Sequence, residues 1–511
     1  MKKFCLILAA AVMVLSAAAC KPDDEIPVGG WRGTVNISVM EAGFGTHWLD
    51  EMASAFQKEA DVKVNVSKSY IHNEILNQIE GGTSNADIVM PVGNLFKYQH
   101  QGLLADLTDV YDAVPKGEDK AVREKMNKSL YDMFLDNKGE IYQMSWANSL
   151  TSFVYNKTVL DELFGADGYR LPRTTGELID FANQIKTVSN GGVYPFTYSA
   201  STVYLNLAIS TWWAQYEGAE SYSDYFNGYY YNESGIRTKA ASFTDLDAAG
   251  REKSLSVASA LFSKSAGYTH QYADTMSYLE SQISFLSWGY KNADDRKCAM
   301  SVNGDWLENE MQTYLVGKPQ DIRMMRMPVI SGIVEKLENN TMPEATLRGL
   351  IEAIDNGATS FEGVSANDFN KVKAARLMVF TIANEHSIGI LKTSKEQTLA
   401  KEFLTYLASD KAQAIYAKEL GGITQPYGYT PDPATLSPFA QSRVDTFGNN
   451  FVPIYTGFSS PLVYVGGFEE FSDRNSIARR VLNGDSAAAI RQTSRSAYSG
   501  STWNTIINLA A

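Results

Sequence analysis

The chain has 511 residues, 44% of them hydrophobic and 12% aromatic, which excludes a disordered or fibrous protein. Single cores stop growing at roughly 250–300 residues, so at least two domains are expected. A formal net charge of −13 without a basic stripe argues against a nucleic-acid partner, and three cysteines exclude a disulfide framework.

The N-terminus pairs Lys2 and Lys3 with an apolar run from Phe4 to Ala19, followed by Cys20. A basic start, a short apolar core and small residues before the junction read as a secretory signal over residues 1–19. The run is too short to span a bilayer as a helix, which takes about 20 apolar residues. Ala17-Ala18-Ala19-Cys20 resembles the lipobox of bacterial lipoproteins, with Ala17 where leucine is usual. That resemblance implies lipidation at Cys20; the plain alternative is an ordinary signal peptide that ends near a cysteine. Residues 20–33 are rich in Pro, Gly and Asp and read as a tether.

Val35, Ile37 and Val39 alternate with polar residues and predict a strand. Trp48, Met52, Ala55 and Phe56 recur at helical spacing, and Val62, Val64 and Val66 alternate again. The unit is β-α-β, the signature of a parallel sheet with crossover helices. A helix with Ile71, Ile75, Leu76 and Ile79 on one face stops at Gly81-Gly82, and the stretch from Asp87 to Met90 is a third strand. Thr174 and Glu177 form a capping box before Leu178, Phe181 and Ile185. Ser394 and Gln397 suggest another, opening a long helical stretch through Phe403, Leu407, Ile415 and Leu420. The predicted class is α/β with two lobes.

Enzyme signatures are missing: there is no GxSxG, HExxH, phosphate-loop or dinucleotide-binding glycine pattern. Asp245 to Gly250 faintly resembles a calcium loop, but Ala249 offers no oxygen ligand and Ser256 stands where the closing glutamate belongs. The five histidines do not pair at metal-ligand spacing, and Cys298 reads as a small buried residue.

Nine fragments in order resemble the bacterial extracellular solute-binding proteins of family 1, the maltose-binding-protein-like capture subunits of ABC sugar importers. Among them are Ala55 to Glu59 with Val62-Lys63-Val64, the strand Ala86 to Val89, and Gly102 to Leu107. Phe153 to Lys157, Leu171 to Leu178 and Cys298 to Trp306 continue the series. Lys401 to Leu404, Ala408-Ser409 and Gly421-Gly422 close it. Gly43 to Trp48 is similar to the opening of a lipoprotein subgroup assigned to oligosaccharides.

The resemblance implies a two-lobed periplasmic-binding-protein fold of class II type. It implies a monomer without cofactor or metal, a carbohydrate ligand, permease subunits as partners, and an anchor in the bacterial cell membrane. It places lobe 1 at about 34–147 plus 297–380 and lobe 2 at about 150–290 plus 388–511, with crossings near 147–151, 288–297 and 380–388. The segment 331–375 reads as a peripheral insertion.

Sugars offer CH faces to aromatic rings and hydroxyls to Asp, Glu and Asn. The ligand-binding candidates are therefore Glu41, Phe44, Trp48, Asp87, Trp146, Asn148, Asn303, Asp305 and Trp306, with Trp212, Trp213 and Tyr427 as stacking residues from the second lobe. Each also has a structural reading: Trp48 could pack on its helix, Asp87 could close a strand end, and Trp212 and Trp213 cannot both face one cleft. Tyr229 to Tyr231 reads as a packed surface loop, and His386 as structural. The same fold could hold a polyamine, a peptide or an anion; a secreted glycoside hydrolase and a surface adhesin are the alternatives from other classes.

Overall fold

The computed structural model describes residues 27–511, except 28, 288–295, 422–425, 449 and 470–475. The expected signal and Cys20 lie outside the described residues, as does most of the tether; its end is fastened where Arg32 pairs with Glu402 at 2.8 Å. Among the described residues, no helix is long and apolar enough to cross a membrane.

Two mixed sheets carry the fold, as the predicted two-lobed α/β class requires. In the first, strands run in the order Lys63–Ser69, Thr34–Met40, Ile88–Met90, Ser387–Ile390 and Met144–Ser145. The first three are parallel, with Val35 opposite Val64 and Ile37 opposite Ile88. The helix between the first pair, His47–Ala60, covers the sheet with Trp48, Met52 and Phe56. The second sheet orders Val452–Ile454, Met378–Thr381, Leu150–Asn156, Lys297–Gly304 and Val193–Thr197, and Ile322–Met325 also pairs with Leu150–Asn156. All seven residues of Leu150–Asn156 are buried, as expected for a strand covered on both faces.

Membership of the two lobes differs from the expected division. Lys297–Gly304, Ile322–Met325 and Met378–Thr381 all join the second sheet, so 297–380 belongs to lobe 2. Helices Gln397–Leu407 and Asp410–Glu419 instead pack in the core of lobe 1, with Phe403, Leu404 and Tyr416 against Trp48 and Phe56. The reason is pairing: Ser387–Ile390 hydrogen-bonds to Ile88–Met90 and carries the following helices to that side. Most of the expected crossing at 288–297 lies outside the described residues. The helix Tyr278–Ser287 and the strand that follows both belong to lobe 2, and the chain crosses between Tyr427 in the core of lobe 1 and Phe439 in that of lobe 2.

The segment 331–375 is not peripheral. Its helices Glu344–Asp355 and Ala366–Leu377 place Leu347, Leu350, Ile351, Phe369 and Val372 in the largest cluster of lobe 2, and Arg376 pairs with Asp355 at 2.8 Å.

Thr174 caps its helix by accepting from Glu177 N at 3.1 Å, while the Glu177 carboxylate accepts from Arg173 N at 2.8 Å. The box expected at Ser394 does not form: its hydroxyl donates to Asp87 at 2.6 Å, and the helix begins at Gln397. The long helical stretch is broken at Ser409, whose hydroxyl caps a second helix at Ala412 N. Tyr229–Tyr231 forms a hairpin with Arg237–Lys239, and the Arg237 guanidinium lies 3.7 Å from the Tyr229 ring centroid.

Because 331–375 supplies core, Ile351→Ala should lower stability by about 2–5 kcal/mol, a buried large-to-small loss. Chemical denaturation checks this; a change within about 0.5 kcal/mol would restore the peripheral reading.

Candidate functional site

Apart from Ser387–Ile390 and Leu150–Asn156, which run the opposite way, the strands of both sheets point their carboxyl ends at the junction between the lobes. From lobe 1 come the loop Glu41–Thr46 after Met40, the loop Pro91–Leu95 after Met90, and Trp146 to Ser149 after Ser145. From lobe 2 come the segment after Thr197, Asp305-Trp306 after Gly304, and Tyr455 to Ser460 after Ile454. Open α/β folds bind ligands at this end because loops and helix N-termini converge there.

An aromatic stack organises the junction. The Trp146 indole lies on Trp48 with centroids 5.5 Å apart and 20° between planes, and Phe44 meets Trp146 edge-on at 5.1 Å. His386 packs edge-on against Trp146 at 4.6 Å and against Phe44 at 4.8 Å. Trp306 arrives from lobe 2, 6.0 Å from Phe44 and 6.3 Å from Tyr204. Its indole lies directly over Gly304, where a Cβ would sit 1.9 Å from Cζ3, so only glycine allows this placement. Asn309 donates to the Gly43 carbonyl across the junction at 2.7 Å.

Polar atoms ring the stack. Trp146 Nε1, Asn148 Oδ1 and Tyr416 OH are buried, and among the described residues they have no hydrogen-bond partner. Burial holds the Tyr416 hydroxyl well above its ordinary range, and the Asp305 charge adds to this. From the other lobe, burial pushes the Arg443 guanidinium down and Asp305 opposes it. The Asp305 charge thus acts on a tyrosine of lobe 1 and an arginine of lobe 2. Burial raises the Glu310 carboxyl, against an amide bond from Gln282 at 2.8 Å. Burial lowers the His386 pKa from 6.5 to about 4, so its ring is neutral at physiological pH; its Nδ1 lies 3.0 Å from the Ile382 carbonyl.

Of the sequence-predicted residues, Phe44, Trp48, Trp146, Asn148, Asn303, Asp305 and Trp306 meet at the junction. Trp48 forms the floor: it is 1% exposed and its indole donates to Gly45 O at 3.2 Å. Asn303 caps its own turn, accepting from Gly304 N at 2.8 Å. Glu41 stands at the rim, bonded to Thr46 at 2.8 Å.

Four residues lie elsewhere. Asp87 sits at the amino end of its strand, where Asn36 N and Ser394 Oγ satisfy it at 2.8 and 2.6 Å. Trp212 is in the core of lobe 2, donating to Pro328 O at 3.1 Å, and Trp213 fills a separate aromatic cluster. Tyr427 belongs to lobe 1, not lobe 2, and donates to Ser145 O at 2.8 Å. Tyr204, Glu310, Tyr416 and Arg443 were not anticipated. Tyr204 was findable, since it opens the helix that follows a strand's carboxyl end; the others come from helices whose docking the sequence does not reveal. Among the described residues no cluster could hold a metal ion.

The family model for bacterial extracellular solute-binding proteins matches residues 51–438. The galactooligosaccharide-binding protein of Bacillus subtilis (strain 168) is 24% identical over 218 residues, which is 42% of this chain and 47% of that protein. The match therefore spans about half the length of that curated relative. The fold is similar to that of RafE in complex with raffinose, with a TM-score of 0.58, 17% identity, and coverage of 91% of this chain and 98% of the other. It is also similar to the ABC substrate-binding protein Lmo0181 from Listeria monocytogenes in complex with cycloalternan, with a TM-score of 0.56, 16% identity, and coverage of 91% and 97%.

A histidine that is harder to protonate folded than unfolded stabilises the fold above its unfolded pKa, and this stability is lost as pH falls from 6.5 towards 4. His386→Gln should remove a part of the acid sensitivity in that window, on the order of 3 kcal/mol. Denaturation curves at pH 4, 5.5 and 7 check it; identical pH profiles for the two proteins would refute the buried neutral ring.

Proposed function

The chain belongs to the bacterial extracellular solute-binding protein family, and we propose that it captures an oligosaccharide between its lobes for delivery to an ABC permease. It does so as a lipoprotein held at the membrane through Cys20, and it returns the sugar chemically unchanged. The observation that carries this reading is the junction itself, an aromatic stack edged by unpartnered polar atoms where the strand ends of both lobes converge. Sugar rings present an apolar face to stack on an indole and hydroxyls for the polar rim.

The mechanism follows from the geometry. The contacts between the lobes are individually small: Phe44 on Trp306, Asn309 on Gly43, Ser129 on Tyr455 at 3.2 Å, and Phe96 on Tyr464 at 6.2 Å. Each is worth about 1 kcal/mol. A ligand touching both lobes adds contacts that exist only in the closed form and shifts the population towards it. Trp48 and Trp146 form a rigid floor, while Trp306 moves with the second lobe. The names of the relatives, which bind galactooligosaccharide, raffinose and cycloalternan, favour a sugar over a polyamine, peptide or anion.

Titration calorimetry of residues 21–511 against raffinose and galacto-oligosaccharides, with small-angle scattering, tests this. A stoichiometric heat with compaction and unchanged sugar is expected; product in the cell would indicate a hydrolase. Trp306→Ala should weaken binding at least tenfold, the loss of about 1.4 kcal/mol or more of stacking. Gly304→Ala should weaken it comparably by displacing the same indole, and full affinity in both would remove Trp306 from the site.

A further inference from the structure

The strand Met378–Thr381 lies in lobe 2 and Ser387–Ile390 in lobe 1, joined by a turn of 3-10 helix, Ala383–Glu385. Glu385 is held from both sides. Its carbonyl accepts from Gly93 N of lobe 1 at 2.6 Å, and its carboxylate accepts from Thr456 Oγ1 of lobe 2 at 3.3 Å. The preceding Asn384 fastens the same loop, donating to Thr456 O at 3.0 Å.

A carboxylate offers about four acceptor sites. Among the described residues, the long Thr456 contact is the one hydrogen bond to this carboxylate. The residue keeps partial exposure, and the two loops that hold it, at Gly93 and Thr456, are strand-end loops of the junction. Desolvation raises it to about 7, with the Thr456 hydroxyl opposing. The titratable groups around it carry no charge at neutral pH. His386 beside it has its ring turned onto Phe44 and Trp146. Tyr222, from the helix Ala219–Phe226, is buried, and Tyr455 next to Thr456 is pushed up to about 12 by burial. The loop from Pro91 to Asn94 brings no ionisable side chain.

We propose that Glu385 is a ligand-contacting residue whose carboxylate accepts hydroxyl hydrogen bonds from the captured sugar and releases its proton to solvent as the sugar binds. This rests on the sugar-capture reading. Two or more O–H donors favour the ionised form, where the empty crevice favours the neutral one. Binding should then tighten as pH rises through neutrality, and each unit by which the ligand lowers the pKa appears as a tenfold difference in affinity between the two pH limits.

The test is calorimetry of residues 21–511 with raffinose and galacto-oligosaccharides at pH 6, 7 and 8, in buffers of different ionisation heat. Proton release near pH 7 and several-fold tighter binding at pH 8 than at pH 6 are expected. Glu385→Gln keeps the shape and should abolish both effects while weakening binding about tenfold. Sugar binding without proton exchange, or a Glu385→Gln variant with the affinity and pH profile of the parent, would overturn this inference and leave sugar capture standing. No binding of any sugar by the parent protein would overturn both. The proton count on the parent protein requires no variant, so a misfolded Glu385→Gln cannot obscure the result.

Discussion

The Trp146 indole, pinned between Trp48 and His386, is the contact around which the junction is arranged. Three segments that are remote in sequence must converge for it to form: the helix His47–Ala60, the first crossing, and the return crossing at His386. Such aromatic pairs are worth about 0.5–1.5 kcal/mol each beyond their burial. The stack therefore fixes the first lobe's half of the junction firmly. Among the described residues, Phe44 is the one ring of the stack that meets Trp306, and the other contacts between the lobes are the small ones at Asn309, Tyr455 and Tyr464, so the second lobe is attached more weakly than the floor it closes on. That imbalance is what the proposed capture mechanism uses.

The same burial sets the electrostatics. Removing water from the junction keeps His386 neutral even in mild acid, where a positive charge would otherwise sit against the Phe44 and Trp146 rings. The Asp305 charge acts on Tyr416 of lobe 1 and on Arg443 of lobe 2, so one carboxylate couples electrostatically to both lobes. Glu385 lacks such compensation, and the same low-dielectric setting that silences the histidine raises this acid. A site that excludes water makes each hydrogen bond to a sugar hydroxyl stronger and each unpaired polar atom more costly.

Much of this was legible in the chain. The alternation at Val35, Ile37 and Val39 and the helical spacing from Trp48 predicted the β-α-β opening, because local periodicity survives whatever packs on it. Phe44 was predicted from its place after the first strand, Trp146 from its place at the first expected crossing, and Asp305 with Trp306 as the carboxylate–indole pair that the family resemblance implies. Asp87 failed for the complementary reason: it opens a strand, and the amino end faces away from the junction. Trp212 and Tyr427 failed because aromatic richness marks cores as readily as sugar sites, and only neighbours such as Pro328 and Ser145 distinguish the two.

The sequence alone determined the α/β class, the opening unit, the helix cap at Thr174, and the composition of a two-lobed solute-binding protein, since these follow from spacing and residue type. It did not determine which lobe owns 297–380 or 388–420, nor that 331–375 is core. Strand pairing across hundreds of residues decides those questions: Thr151 against Gly304 and Phe380, and Ile390 against Ile88. Nor could spacing bring Tyr416, Arg443 and Glu385 to one junction. A side chain's lobe depends on where its element docks, and docking is a property of the assembled sheets rather than of any local pattern.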